Sequence, residues 1–130
     1  MGESVRAILD TSVVIAADVE PLEGELAISA ITLAELHFGV LVAKRTSVRA
    51  ERLRRLLALQ RTFDALPLDE AVAESYGRVA AAVVDAGRSP RPRSMDLLIA
   101  ATAHAHSARL YTRNRGDFEG LGDLVDVVAV

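Results

Sequence analysis

Short apolar blocks alternate along the chain with longer stretches whose apolar residues recur at helical spacing. Val5 to Leu9 reads as a strand, and Ser12 to Asp18 as a helical start that Pro21 and Gly24 close off. Leu26–Ser29 is a second strand. Thr32–Ala43 is a helix with Leu33, Leu36 and Val40 on one side. Thr46–Phe63 is a longer helix in which Val48, Leu53, Leu56, Leu57 and Gln60 keep helical spacing. Ala65–Leu68 is a third strand, and Asp69 caps a helix over Glu70–Asp85, where Glu74 and Arg78 stand four apart.

Gly87 to Arg93 contains Pro90 and Pro92 and reads as a loop. Ser94 is placed to cap a helix from Met95 to about Ser107. Arg109–Thr112 is a fourth strand, Asp117–Gly120 a short turn, and Val125–Val130 a final strand. Short apolar strands separated by helices predict an α/β fold, a mainly parallel sheet with helices on both faces. Right-handed crossovers then put every strand's carboxyl end on the same edge. No repeat or linker divides the chain, so 1–130 is expected to be one domain.

One detail of the pattern does not follow from packing. The apolar run from Ala7 to Ala16 is broken in its middle by Asp10, Thr11 and Ser12. Those residues suit a bend from strand to helix. They also put a carboxylate on the edge where open α/β sheets keep their ligands.

Composition narrows the field. Half of the 130 residues are hydrophobic and none is cysteine, which excludes a disulfide framework or a thiolate metal site and suits a cytoplasmic protein. No apolar run is long enough to span a membrane, and the first residues lack the features of a signal peptide. The formal charge of −3 hides two basic segments. Residues 44–61 carry seven Lys or Arg against Glu51 alone, and residues 88–115 carry six Arg against Asp96 alone. Such segments permit contact with nucleic acid without demanding it.

Four acids become interesting in the expected layout. Asp10 follows the first strand, Glu35 lies early in the helix after the second, Asp96 early in its helix, and Asp117 just beyond the fourth strand. Each has a structural explanation. Asp10 and Asp117 can cap helices, Thr32-Leu33-Ala34-Glu35 fits a capping box, and Asp96 suits the positive end of a helix dipole. Only the topology would bring the four together. Crowded carboxylates disfavour their own charged forms, so such a cluster calls for a divalent cation, with Mg²⁺ or Mn²⁺ the ions that take oxygen ligands.

Leu9-Asp10-Thr11-Ser12, Thr32-Leu33-Ala34-Glu35, the run Met95 to Ala103 (MDLLIAATA) and the run Tyr111 to Phe118 (YTRNRGDF) resemble, in order, the motifs of PIN-domain ribonucleases. Within that family the chain is similar to the VapC toxins of bacterial toxin–antitoxin pairs. The resemblance implies the PIN-like three-layer fold and a metal-dependent endoribonuclease whose Mg²⁺ or Mn²⁺ is held by Asp10, Glu35, Asp96 and Asp117. Asp10 and Asp96 are expected on the main ion, Glu35 on it or on a water, and Asp117 on a second or looser one. Thr112 and Asn114 match positions that support the site through hydrogen bonds, and Thr11 or Ser12 is expected to help beside Asp10. The implied partners are RNA, a cognate antitoxin and a second copy of the chain in a homodimer or toxin–antitoxin hetero-oligomer.

In that light the basic segments are candidate RNA contacts: Arg45, Arg49 and Arg52 on one helix, Arg91 and Arg93 before Asp96, and Arg113 and Arg115 around Asn114. With five aromatic residues in the chain, base stacking is expected to be limited. His104 and His106 stand two apart and point to different sides of their helix, and His37 is off the face of Glu35; all three read as structural. Phospho-aspartate enzymes fit poorly. Ser12 stands where haloacid-dehalogenase-like proteins need a second Asp, and Lys44 is the only lysine a receiver domain could use. A non-catalytic scaffold that binds RNA or a protein remains the alternative, with the two apolar helices over 32–63 offering a groove for a partner helix.

Overall fold

The computed structural model describes residues 5–16 and 20–130. Among them five strands, β1 (Arg6–Leu9), β2 (Glu25–Ser29), β3 (Ala65–Leu66), β4 (Arg109–Thr112) and β5 (Val127–Ala129), form one sheet in the order β3-β2-β1-β4-β5. Every pairing is parallel, with Ile8 opposite both Ala27 and Leu110. Five helices complete the fold: α1 (Thr11–Ile15), α2 (Ala30–Leu41), α3 (Thr46–Thr62), α4 (Glu70–Asp85) and α5 (Ser94–Ala105). The expected parallel α/β architecture is therefore present. The last part of the first expected helix, residues 17–18, and the N-terminal residues 1–4 lie outside the described residues.

The period of two along each strand sorts side chains into two cores. Ile8 and Leu110 face one side, where Val79 and Val83 of α4 and Leu97, Ile99, Ala100 and Ala103 of α5 cover them. Ala7, Leu9, Ile28 and Tyr111 face the other, against Val13 of α1, Leu33 of α2 and Leu59 and Phe63 at the end of α3. This is the three-layer arrangement. Burying Ile8, Ile28 or Leu110 completely contributes about 1.5–3 kcal/mol each. The Ala-rich run of α5 lets that helix lie close against both α4 and the sheet, and its Ile99, Ala100, Ala101 and Ala103 have no exposed surface.

Several boundaries differ from the sequence expectation, each for a local reason. Helix α2 begins at Ala30, because Ser29 at the end of β2 accepts the Ile31 N–H at 3.0 Å and caps it. Thr32 is then already inside the helix, so the capping box does not form and Glu35 falls in the second turn. Ser94 is also inside its helix; its hydroxyl donates back to the Arg91 carbonyl at 2.8 Å. The preceding Pro-rich loop contains a short 3₁₀ turn over Arg91–Arg93. Strand β3 stops at Leu66 since Pro67 has no N–H to offer. Strand β5 begins at Val127, with Val125 turned into the core ahead of it. In α3 only Leu56 is buried, and Leu53 and Leu57 are exposed, so most of its apolar stripe has no cover.

The turn into β2 needs a glycine. Gly24 has φ +111°, and a Cβ there would stand 2.2 Å from the Val5 carbonyl oxygen. That oxygen accepts the Glu25 N–H at 2.7 Å, so the close approach is part of the β1–β2 pairing.

Candidate functional site

Strand order places a crevice beyond β1 and β4. From β1 the chain builds β2 and β3 on one side, then returns to place β4 and β5 on the other. In open α/β sheets the carboxyl ends of strands at such a reversal are where ligands are held. Asp10 follows β1 directly, and Thr112 is the last residue of β4.

Asp10 is 4% exposed and sits at the N-cap position of α1, yet its side chain makes no capping bond. Its main-chain carbonyl takes the Val13 N–H instead, at 2.9 Å. The carboxylate turns into the crevice, where Oδ2 accepts from Ser12 Oγ at 2.7 Å and from Thr112 Oγ1 at 2.8 Å. Those hydroxyls are fixed in turn. Thr112 Oγ1 accepts the Asn114 N–H at 3.0 Å, and Ser12 Oγ accepts the Arg113 N–H at 3.0 Å. Asn114 thus supports the site through its main chain.

Glu35 reaches the same edge from α2. Its Oε1 accepts from Thr11 Oγ1 at 2.7 Å, and Thr11 is 3.0 Å from the Thr32 hydroxyl. Asp96 is in the first turn of α5, half-buried. Burial pushes its carboxyl up to about 6, and the charges of Asp10, Asp117 and Glu35 push the same way. Arg93 acts in the opposite sense. Asp117 lies in the 3₁₀ turn Arg115–Phe118 after β4, and its Oδ1 is 3.3 Å from Arg93 Nη1. The structure thus brings three acids within electrostatic reach of Asp96.

Among the described residues, no three His, Cys, Asp or Glu side chains stand close enough together to ligate one ion directly. A small hard cation does not require that. Mg²⁺ keeps several waters and is commonly held by one or two carboxylates with substrate phosphates. The donor set here is oxygen alone, and the raised Asp96 carboxyl marks negative charge short of compensation. On both grounds the residues present fit a divalent ion of the Mg²⁺ or Mn²⁺ type.

The arginines divide by what they touch. Arg49 and Arg52 donate to the Ala43 and Gly39 carbonyls, at 3.0 Å and 2.6 Å, and so hold the end of α2. Arg45, Arg91, Arg113 and Arg115 are exposed, the last two just past β4. Arg88 pairs with Glu119. His104 Nδ1 is 2.7 Å from Ser75 Oγ, tying α5 to α4, and His37 is exposed.

Sequence reasoning missed two contributors. Thr32 was read as a cap and instead joins the Thr11–Glu35 hydrogen bonds; Ser29 at the strand end was the competing cap signal. The other is the pairing of Arg93, a candidate RNA contact, with Asp117 across 24 residues, which leaves no local trace.

Beside Glu35 and Thr11 a groove of about 420 Å³ runs between α1, α2 and α3, lined by Val14, Ile15, Leu36 and Leu59 with Arg52 and Arg55. Larger hollows of about 970 Å³, 710 Å³ and 540 Å³ are lined by none of the four acids. Among the described residues no helix is long and apolar enough to cross a membrane.

Residues 7–123 match the PIN domain family. The chain is 35% identical over 126 residues to ribonuclease VapC5 of Mycobacterium tuberculosis, covering 92% of this chain and 90% of that protein. It is 40% identical over 106 residues to ribonuclease VapC8 of the same organism, covering 78% and 94%. Its fold is similar to the crystal structure of VapBC-5 from M. tuberculosis, a member of the VapBC family of toxin-antitoxin systems. There the TM-score is 0.82 at 35% identity, over 97% of this chain and 98% of that one.

Proposed function

Because the chain belongs to the PIN-domain family, in its VapC branch, we propose that it is a metal-dependent endoribonuclease and the toxin of a toxin–antitoxin pair. The observation that carries this reading is the coupling of Asp10, Glu35 and Asp117 to Asp96 at the sheet edge, with the Asp96 carboxyl raised to about 6. A group raised to about 6 is mostly ionised at neutral pH, so Asp96 adds its charge to the field of the other three acids.

In this reading Asp10 and Asp96 hold Mg²⁺ or Mn²⁺, and Glu35 binds it or orients a water. When bound, the ion supplies Lewis acidity toward a phosphate and lowers the pKa of a bound water. The chain's own residues supply the geometry. Ser12 and Thr112 both donate to Oδ2 and fix the Asp10 carboxylate, so neither hydroxyl engages Oδ1. Thr11 holds Glu35 in the same way. Arg113 and Arg115, just past β4, and Arg91, in the loop before α5, are exposed and suited to phosphate contacts, which position RNA without reading its sequence. Arg45, Arg49 and Arg52 extend the basic surface along α3.

The groove between α1, α2 and α3 supports an antitoxin as the protein partner. It is apolar along most of its length and shares Thr11 and Glu35 with the crevice, so a segment seated there covers Glu35. Exposed Phe38, Leu41 and Val42 on α2 and the turn after it leave further apolar surface for that partner or for a homodimer.

The test is cleavage of a defined pool of structured RNAs by the purified chain with Mg²⁺, with Mn²⁺, with EDTA, and with Asp96→Asn beside the parent. Cuts that need metal and disappear in the variant support the reading. Absence of both cleavage and calorimetric ion binding would leave a non-catalytic scaffold.

A further inference from the structure

We infer that Arg93 is a tethered counter-cation of the acidic cluster, and that it competes with a divalent ion for the carboxylate of Asp117. The inference rests on the metal-dependent reading above and assigns Asp117 a second role, as the anchor of Arg93 when no ion is there.

Arg93 is placed by main chain on both sides. It ends the 3₁₀ turn between Pro90 and α5, where its N–H donates to the Pro90 carbonyl at 3.0 Å. From there its side chain crosses to the turn after β4. Nη1 lies 3.3 Å from both Asp117 Oδ1 and the Gly116 carbonyl oxygen. The neighbouring arginines are differently engaged: Arg88 pairs with Glu119, and Arg91 is exposed. Arg93 is also the cation that offsets the three acids acting on Asp96. The Arg93 guanidinium therefore contacts Asp117 and acts on Asp96 against the pull of the other acids.

Magnitudes favour exchange over a fixed pair. Both side chains are partly exposed, at 32% and 46%, and the contact is long. Such pairs contribute about 0–1 kcal/mol, so an ion of twice the charge can displace the guanidinium from Asp117. Coupling between two ligands of one group is reciprocal: whatever Arg93 subtracts from ion affinity, the ion subtracts from the Arg93–Asp117 pair. Arg93 thus offsets part of the acids' charge and sets how tightly an ion binds among them.

The experiment is calorimetric titration of Mn²⁺ into the full chain and four variants, Arg93→Gln, Arg93→Lys, Arg91→Gln and Asp117→Asn, together with the double variant R93Q/D117N. Metal-free melting curves check that each is folded. Arg93→Gln is expected to bind Mn²⁺ about 3–5-fold more tightly than the parent, the upper end of what a partly exposed pair can withhold. Arg91→Gln removes the same charge from the same loop and is expected to change affinity less than about twofold, because an exposed charge is screened. Arg93→Lys keeps the charge and stays near the parent. In the Asp117→Asn background the effect of Arg93→Gln is lost. If Arg93→Gln merely matches Arg91→Gln, or its effect persists without Asp117, the competition is refuted while the metal reading stands. If the parent takes no Mn²⁺, the metal reading falls and the inference with it.

Discussion

Thr112 donates its hydroxyl to Asp10 Oδ2 at 2.8 Å, joining the ends of two neighbouring strands from residues 102 positions apart in the chain. Thr112 has no exposed surface, and its oxygen also accepts the Asn114 N–H. One buried hydroxyl therefore orients the carboxylate and sets the path of the chain leaving β4.

Thr112→Val keeps the shape and removes both bonds. Asp10 is left with Ser12 as its donor, and the Asn114 N–H loses its acceptor. The expected cost is about 1–3 kcal/mol of stability by urea denaturation. Ion affinity or RNA cleavage is expected to fall about 10–100-fold, as when the groups behind a metal ligand are removed. Thr112→Ser restores the hydroxyl and is expected to recover most of both. Indistinguishable Val and Ser variants would show that the hydroxyl does not matter.

The same pair marks what the sequence could and could not tell. Strand β4 and helix α4 match their expected bounds, because an apolar strand after a helix and an Asp cap before one are local signals. The start of α2 was misplaced by two residues, since Ser29 and the Thr32-to-Glu35 box offered rival caps and only the strand end decides between them. Convergence of the acids depended on strand order, which arises from pairings such as Leu9 with Tyr111 that no local pattern encodes. Roles for Arg49 and Arg52 as supports of the α2 end were hidden for the same reason: a basic stripe on a helix looks alike whether it meets solvent, phosphate or a carbonyl.

Asp96 makes stability depend on pH with an unusual sign. Its carboxyl is raised from 3.8 to about 6 in the folded chain, so between those values the folded state holds more proton than the unfolded one. The metal-free protein therefore loses stability as pH rises from about 4 through 6. Asp96→Asn removes that slope. In EDTA at pH 7.5 the variant is expected to melt about 2–4 °C above the parent, with the difference vanishing near pH 4. Melting curves for the two that stay parallel from pH 4 to 7.5 would contradict the crowding of charge around Asp96.

Two glycines give opposite expectations. Gly24→Ala puts a Cβ against the Val5 carbonyl at a positive φ, where the β1–β2 pairing begins. It is expected to cost more than about 1 kcal/mol. Gly77 lies within α4, has ordinary helical φ and meets nothing within 4 Å at the Cβ position. Gly77→Ala is expected to add about 0.5–1 kcal/mol. Paired denaturation curves test both, and a stabilising Gly24→Ala would mean the turn into β2 is not as described.

Partner binding is best read on α3. In the free chain Leu56 is the one buried residue of this helix, whereas α5 has six. Helices with so few buried contacts open at low free-energy cost, so α3 amides are expected to exchange with solvent well before those of α5. An antitoxin segment lying in the groove beside Val14, Leu36 and Leu59 covers α1, α2 and α3 and leaves α4 untouched. Hydrogen–deuterium exchange of the chain alone and with a candidate antitoxin of the proposed pair is expected to show new protection on those three helices. Protection confined to α4 would put the partner on the opposite layer and remove the groove from the account, together with the idea that the same contact covers Glu35.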